Sequence, residues 1–166
     1  MMLGNDWTGQ PVRGWLASEK FDGCRAYWDG SALWTRGGNR INAPEWFTAG
    51  LPADVHLEGE IYCGAGGFYA ARNAVNYGDF TRDVRWVVFD APLAAGNLNE
   101  RLAVARAAVA SLAHVSVIDP VPVRNDDHLR DLFQAVIARG GEGVMLHHPR
   151  APYRRGRTEK LLKVKL

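Results

Sequence analysis

The sequence predicts an α+β fold of antiparallel β-sheets with packed helices, and three observations predict it. Short runs rich in aromatic and β-branched residues fill the N-terminal half, broken by Gly- and Asn-containing turns. Two longer stretches in the C-terminal half carry helix caps. No regular strand–helix alternation runs through the chain, which excludes a doubly wound sheet.

The elements follow in order. Arg25 to Asp29 alternates and is aromatic-rich, Asp29-Gly30 is a turn, and Ala32 to Thr35 returns as its hairpin partner. Gly37-Gly38-Asn39 is a second turn. Pro44 suits the first position of a short helix over Glu45 to Ala49, closed by Gly50. His56 to Tyr62 and Arg85 to Asp90 read as buried strands. Asn97, with Glu100 three residues on, starts a helix extending to about Ala113. Ser116 to Val121 is a strand. Asn125 or Asp126 caps a helix from about Asp127 to Arg139, stopped by Gly140-Gly141. Gly143 to His147 and Leu161 to Lys165 are strands again. Gly64-Ala65-Gly66-Gly67 reads as a loop; without a following Lys-Ser/Thr it is no P-loop.

At 166 residues the expectation is one domain, residues 1–166, large enough to bury roughly 70% of its unfolded surface. A net charge of +2 selects no partner class, but its distribution is uneven. Arg150, Arg154, Arg155, Arg157, Lys160, Lys163 and Lys165 face the single acid Glu159 between residues 150 and 165. Such a segment suits phosphate, on a nucleotide or a nucleic-acid backbone. Cys24 and Cys63 build neither a disulfide framework nor a metal site and read as small apolar residues beside strands. The histidines show no metal-ligand spacing. No apolar stretch reaches the length of a membrane span. The first fifteen residues lack a signal-peptide pattern. A cytoplasmic setting is therefore expected; a chain trimmed of an export signal would read the same.

The chemistry concentrates at Ser18-Glu19-Lys20-Phe21-Asp22-Gly23-Cys24-Arg25. Lysine, with a reference pKa of about 10.4, attacks phosphorus only after losing its proton. Asp22, two residues on, would share a side with Lys20 if the strand continued. Glu60 and Glu142 are carboxylates on separate strands, suited to Mg²⁺ or a ribose hydroxyl. Glu58, on the same side as Glu60, is expected to be structural. Lys163 and Lys165, two apart on a strand, can face one pocket. Phe89 offers a flat face for a base, and Arg25 and Arg36 offer forked donors for sugar or phosphate oxygens.

These segments resemble, in order, the motifs of the covalent nucleotidyltransferases, the superfamily of DNA ligases, RNA ligases and mRNA capping enzymes. Lys20-x-Asp22-Gly23-x-Arg25 resembles motif I, and Leu57-Glu58-Gly59-Glu60-Ile61 motif III. Val87-Val88-Phe89-Asp90 resembles the strand whose aromatic residue stacks on the purine. Glu142-Gly143-Val144-Met145 resembles motif IV, and Leu161-Leu162-Lys163-Val164-Lys165 motif V. Thr35-Arg36-Gly37-Gly38-Asn39 resembles the turn whose arginine meets the DNA 5′-phosphate in ligases. The match runs from about residue 16 to residue 165, and its wording is nearest to small bacterial or phage ATP-dependent DNA ligases.

The resemblance implies an ATP-grasp-like nucleotidyltransferase domain. Lys20, Asp22 and Lys165 would be catalytic, with Lys20 forming lysyl-AMP. ATP would be held by Ser18, Glu19, Lys20, Arg25, Glu60, Phe89, Glu142, Lys163 and Lys165, and Mg²⁺ by Glu60 and Glu142. The partner would be nicked duplex DNA, with Arg36 at the 5′-phosphate and Arg154, Arg155 and Arg157 along the backbone. A monomer without membrane attachment is expected. Motif V is followed only by Leu166, so no OB-fold domain is expected within these residues. A separate OB-fold polypeptide, an excised piece and a stand-alone catalytic domain all stay open. So do an RNA ligase, a GTP-using capping-type enzyme, and a nucleotide- or DNA-binding subunit without turnover.

Overall fold

A computed structural model describes residues 1–166. The chain divides into two compact units, each built on one five-stranded sheet. The first comprises Met1–Phe21, Asn97–Asn99 and Asp119–Leu166; the second comprises Asp22–Gly96 and Glu100–Ile118.

The first unit carries β1 (Met2–Asp6), β2 (Leu16–Lys20), β8 (Val121–Pro122), β9 (Gly143–His147) and β10 (Gly156–Lys165), in the order β1-β10-β9-β2-β8. Strand alternation puts Ala17, Val144, Leu146 and Leu162 on one face. There they form an apolar cluster with Leu129 and Val136 of α4 (Asp126–Ala138). The helix starts where the sequence says it should. Asn125 is extended, and its side chain accepts from the His128 N–H, satisfying one of the free donors of the first turn. The same register leaves Ser18, Lys20, Met145, Lys163 and Lys165 on the opposite face.

The second unit carries β3 (Cys24–Trp28), β4 (Leu33–Thr35), β5 (Leu57–Tyr62), β6 (Arg85–Asp90) and β7 (Val115–Val117), in the order β4-β3-β5-β6-β7. One face of this sheet packs with α1 (Glu45–Thr48), α2 (Phe68–Tyr77) and α3 (Leu98–Val109) around Trp28, Phe47, Leu57, Ile61 and Trp86, all fully or almost fully buried. Burying one such side chain contributes about 1.5–3 kcal/mol, so this cluster is the main store of stability in the unit. The other face carries Arg25, Glu58 and Glu60, of which Glu58 is fully buried.

The structure corrects the sequence reading in several places, among them β1, which was not expected, and β10, which starts at Gly156 instead of Leu161. Each sheet includes one parallel pair, β1 with β10 and β6 with β7, so neither is purely antiparallel. The expected strand over 116–121 is two short strands separated by Ile118-Asp119-Pro120, since proline cannot donate into a ladder. The Ala-rich helix ends at Val109 instead of Ala113, where the chain turns with Leu112 N–H donating to the Val109 carbonyl. Phe68–Tyr77, where no helix is expected, forms α2. Cys24 and Cys63 are free, half-buried and packed against the core, as anticipated. No helix is long and apolar enough to cross a membrane.

Candidate active site

In the first unit the site is a row across three strands. Lys20 of β2 and Lys165 of β10 are both register partners of Gly143 on β9. Paired residues share a face, so two lysines stand on the same side, about 10 Å apart, with only a glycine between them. The glycine is required: a Cβ there would lie 2.1 Å from the Val164 carbonyl oxygen. Ser18, Met145 and Lys163 form the next row on that face. Glu142, just before β9, accepts from Lys20 Nζ at 2.6 Å, and the two side chains keep 23% and 29% of their exposure. The pair is sheltered yet open to a ligand. Lys163 lies 3.3 Å from Asp6.

Lys163 and Lys165 also border a cleft of about 620 Å³ with Trp7, Leu129, Arg130 and Phe133. Its α4 walls belong to the other face of the sheet and Lys20 does not line it. The cleft therefore meets the lysine row only at its β10 end, through Lys163 and Lys165.

Two expectations for motif I change. β2 ends at Lys20, so strand alternation does not carry Asp22 to the lysine's side. Glu19 points to the opposite face, where its carboxylate accepts from Arg139 at 2.7 Å. Any contact of Glu19 with a nucleotide falls to its backbone.

In the second unit, Gly23 packs against β5 so closely that a Cβ would sit 2.0 Å from the Ile61 carbonyl oxygen. That approach lets Gly23 N–H donate to Glu60 Oε1 at 3.1 Å. Beside it, Arg25 donates to Glu58 at 2.6 Å, and Glu58 is fully buried. The structural role expected of Glu58 is thus supplied by a named partner. The Arg25 guanidinium also lies over the half-buried Phe89 ring, 5.2 Å from its centroid. Next to Phe89, Asp90 accepts from Arg101 Nε at 2.7 Å, with exposures of 5% and 2%. Burial pushes the Asp90 carboxyl up, and Arg101 opposes it.

Sequence reading did not single out Asp90 or Arg101. Asp90 stood in the quoted motif, but nothing local marks Arg101 as its partner eleven residues away. Burial, and Glu60 next to it, raise the Cys24 thiol above its ordinary value.

Arg36 is exposed on the turn closed by Gly38 N–H to the Thr35 carbonyl. Arg154 and Arg155 are exposed as well. Arg157 is not free for a ligand in the same way, since it donates to the Gly4 carbonyl and holds β1.

No cluster of three His, Cys, Asp or Glu side chains is assembled to cage a metal. Magnesium is usually held by one or two carboxylates together with substrate phosphates, so Glu142 beside a row of lysines fits it.

Comparison with known proteins gives a consistent picture. The model of the ATP dependent DNA ligase domain matches residues 71–165. A DNA ligase of Haemophilus influenzae is 36% identical over 169 residues; the match covers 99% of this chain and 63% of that protein. Thus the chain spans somewhat under two thirds of the curated relative's length. A structure from a study of DNA binding by Lig E DNA ligases superposes with a TM-score of 0.90 at 32% identity, covering all of this chain and 68% of that one. Chlorella virus DNA ligase-adenylate shares the fold, with a TM-score of 0.84 at 23% identity over 99% of this chain and 67% of that one. By family match and by identity, this chain belongs to the ATP-dependent DNA ligase domain family.

Proposed function

We propose that this chain is the adenylation domain of an ATP-dependent DNA ligase, with Lys20 as the residue that becomes covalently attached to AMP. The observation that carries the reading is the row Lys20–Gly143–Lys165, with Glu142 on Lys20 Nζ. The glycine keeps the space between two cations clear, and a phosphate binds there without meeting a side chain.

The nitrogen must be unprotonated to attack. Glu142 Oε1, 2.6 Å away, is the acceptor placed to receive its proton. Nζ then forms a bond to the α-phosphorus of ATP while the bond from that phosphorus to the bridging oxygen breaks and pyrophosphate leaves. Lys165 and Lys163 offset the charge on the phosphoryl oxygens. The AMP passes next to a DNA 5′-phosphate, and a 3′-hydroxyl displaces it to join the strand.

The other assignments rest on the family resemblance and on local geometry. Phe89, held under Arg25, offers its ring to adenine. Arg25 and Glu60 meet the ribose, and the backbone at Ser18 and Glu19 borders the nucleotide. Asp22 follows the nucleophile in the connection to β3, and its catalytic role rests on the family resemblance. Glu60 and Glu142 would hold Mg²⁺, which neutralises phosphate charge when bound. Nicked duplex DNA is the partner, with Arg36 at the 5′-phosphate and Arg154 and Arg155 on the backbone.

Intact-mass measurement after incubation with ATP and Mg²⁺ tests the reading. The wild type should gain the mass of one AMP, and Lys20→Ala should gain nothing. GTP in place of ATP should leave no adduct. An adduct retained by Lys20→Ala, or none in the wild type even as purified, would overturn the proposal.

A further inference from the structure

In the first unit, the end of β2 grips one short connection from both faces of the strand. The chain leaves α4 at Ala138 and enters β9 at Gly143, so residues 139–142 carry it from the helix layer to the sheet. Arg139, at the helix end, donates through Nη2 to Glu19 Oε2 at 2.7 Å. Glu19 pairs with Val144, whose side chain belongs to the apolar cluster under α4, so this contact lies on the helix side. Glu142, at the strand end, accepts from Lys20 Nζ at 2.6 Å on the other side. Glu19 and Lys20 are neighbours, and strand alternation sends them to opposite faces. Adjacent residues of β2 thus hold the two ends of the same connection.

The backbone between those ends is tightly held. Gly140 has a φ of +83°, the left-handed turn that closes α4, and its N–H donates to the Ile137 carbonyl at 2.9 Å. Gly141 N–H donates to the Val136 carbonyl at 2.9 Å. A Cβ on Gly141 would stand 2.5 Å from Val136 Cγ1 and 2.9 Å from Glu19 Oε1. The residue before Glu142 is therefore wedged between the last turn of α4 and the Glu19 carboxylate. Arg139 is held a second time, by Nη1 to the Ala135 carbonyl at 3.1 Å, which keeps its guanidinium beside the helix. Glu142 itself lies between the last helix-closing donor, Gly141, and the first ladder position, Gly143. The anchors on either side decide where its carboxylate stands.

We infer that Arg139 and Glu19 are positioning residues for AMP transfer to Lys20: their ion pair sets the Gly140-Gly141 turn so that Glu142 meets Nζ from the opposite face of β2. This role presupposes the proposed ligase function, in which Glu142 receives the Lys20 proton. The Glu19 carboxylate and Arg139 both stand on the face away from the lysine, so their effect on transfer passes through Glu142. Such an effect is large for a small movement, since a displacement of about 1 Å at a reacting group costs about 100-fold in rate. The ladder at Gly143 still holds the far end of the connection when the ion pair is lost, so the expected loss is smaller than that.

Two measurements on the whole chain test this role. Without ATP, residue-resolved amide hydrogen exchange reads the connection directly. Arg139→Ala should speed exchange at Gly140 and Gly141 by about threefold, the effect of losing one partly exposed ion pair, and leave Leu146 within β9 unchanged. With ATP and Mg²⁺ in excess, intact mass follows the single-turnover rate of AMP attachment. Arg139→Ala should lower that rate about tenfold, and Glu19→Ala equally. Arg139→Lys keeps a cation for Glu19 and should recover most of the rate. Glu142→Gln should lower the rate about 100-fold, as loss of a proton acceptor does. In that background Arg139→Ala should change the rate by less than about twofold, whereas a general loosening of the fold would multiply the two losses. Unchanged exchange in Arg139→Ala, an unchanged attachment rate, or losses that multiply would each overturn the positioning role. A wild type that attaches no AMP would instead strike the ligase reading, and the role in transfer falls with it.

Discussion

The two sheets handle charge in opposite ways. On the first unit's sheet, Lys20 and Glu142 form a single contact and keep roughly a quarter of their surface exposed. On the second unit's sheet, Glu58 is fully buried under Arg25, and Asp90 and Arg101 are almost fully buried against each other. A pair held by one contact and still reached by water contributes little to stability. A buried pair is fixed, because losing one member strands a charge out of water. The difference suits the two tasks proposed above: a nucleophile has to change partners, whereas a platform for a base has to stay in place.

Paired substitutions can break this comparison. Lys20→Ala should abolish AMP attachment altogether while costing no more than about 1 kcal/mol in urea unfolding. A large loss of stability would show that the lysine pair is structural after all. Arg101→Ala should do the reverse. It should cost about 3–5 kcal/mol in the same unfolding measurement, since Asp90 is left buried and unpaired. A cost below 1 kcal/mol would remove the contrast between the sheets.

Smaller effects sharpen it. Phe89→Ala should raise the ATP concentration needed for half-maximal adduct by about tenfold, corresponding to the roughly 1–3 kcal/mol of a base stacked on an aromatic ring. An unchanged ATP dependence would take Phe89 out of the nucleotide site. Asn125→Ala should cost about 1 kcal/mol through the lost cap of α4, read from the unfolding midpoint.

The smallest effect concerns acid. Asp29 accepts from the Ala32 and Ser31 N–H groups, the Ser31 hydroxyl and Trp34 Nε1, and the Ala32 bond leads in holding its carboxyl far below the usual range. A depressed folded-state value stabilises the fold fully above the unfolded value of about 3.9, and that contribution fades as pH falls toward the folded value. The stability gap between wild type and Asp29→Asn should therefore narrow from about pH 5 to about pH 2. A constant gap would show that the turn gains nothing from the ionised carboxylate.

Particular elements show how far the sequence could be read. β6 and β9 have the bounds expected for them, because both are short apolar runs flanked by clear breakers. α4 was legible because its cap is a local device. α2 was not, because Gly67 precedes it with no side-chain cap and no acid occupies its first turn. Its buried Ala71, Ala74 and Val75 have helical spacing, which was the one available signal. β1 gives no local hint either, since its partner β10 lies at the far end of the chain. Leu112 packs against Gly50, a contact formed across sixty-odd residues that no helix propensity anticipates.

The sequence by itself determined the chemical inventory: one lysine before an Asp-Gly turn, two later carboxylates, a terminal pair of lysines and a basic stretch. These follow from residue type and order, which need no partner to be read. Only the tertiary structure decided which of them meet. Register placed Lys165 opposite Gly143 and Lys20, ended β2 before Asp22, turned Glu19 to the other face, and gave Asp90 its buried arginine. The physical reason is that strand pairing joins residues distant in the chain, and one step along a strand reverses the face a side chain serves.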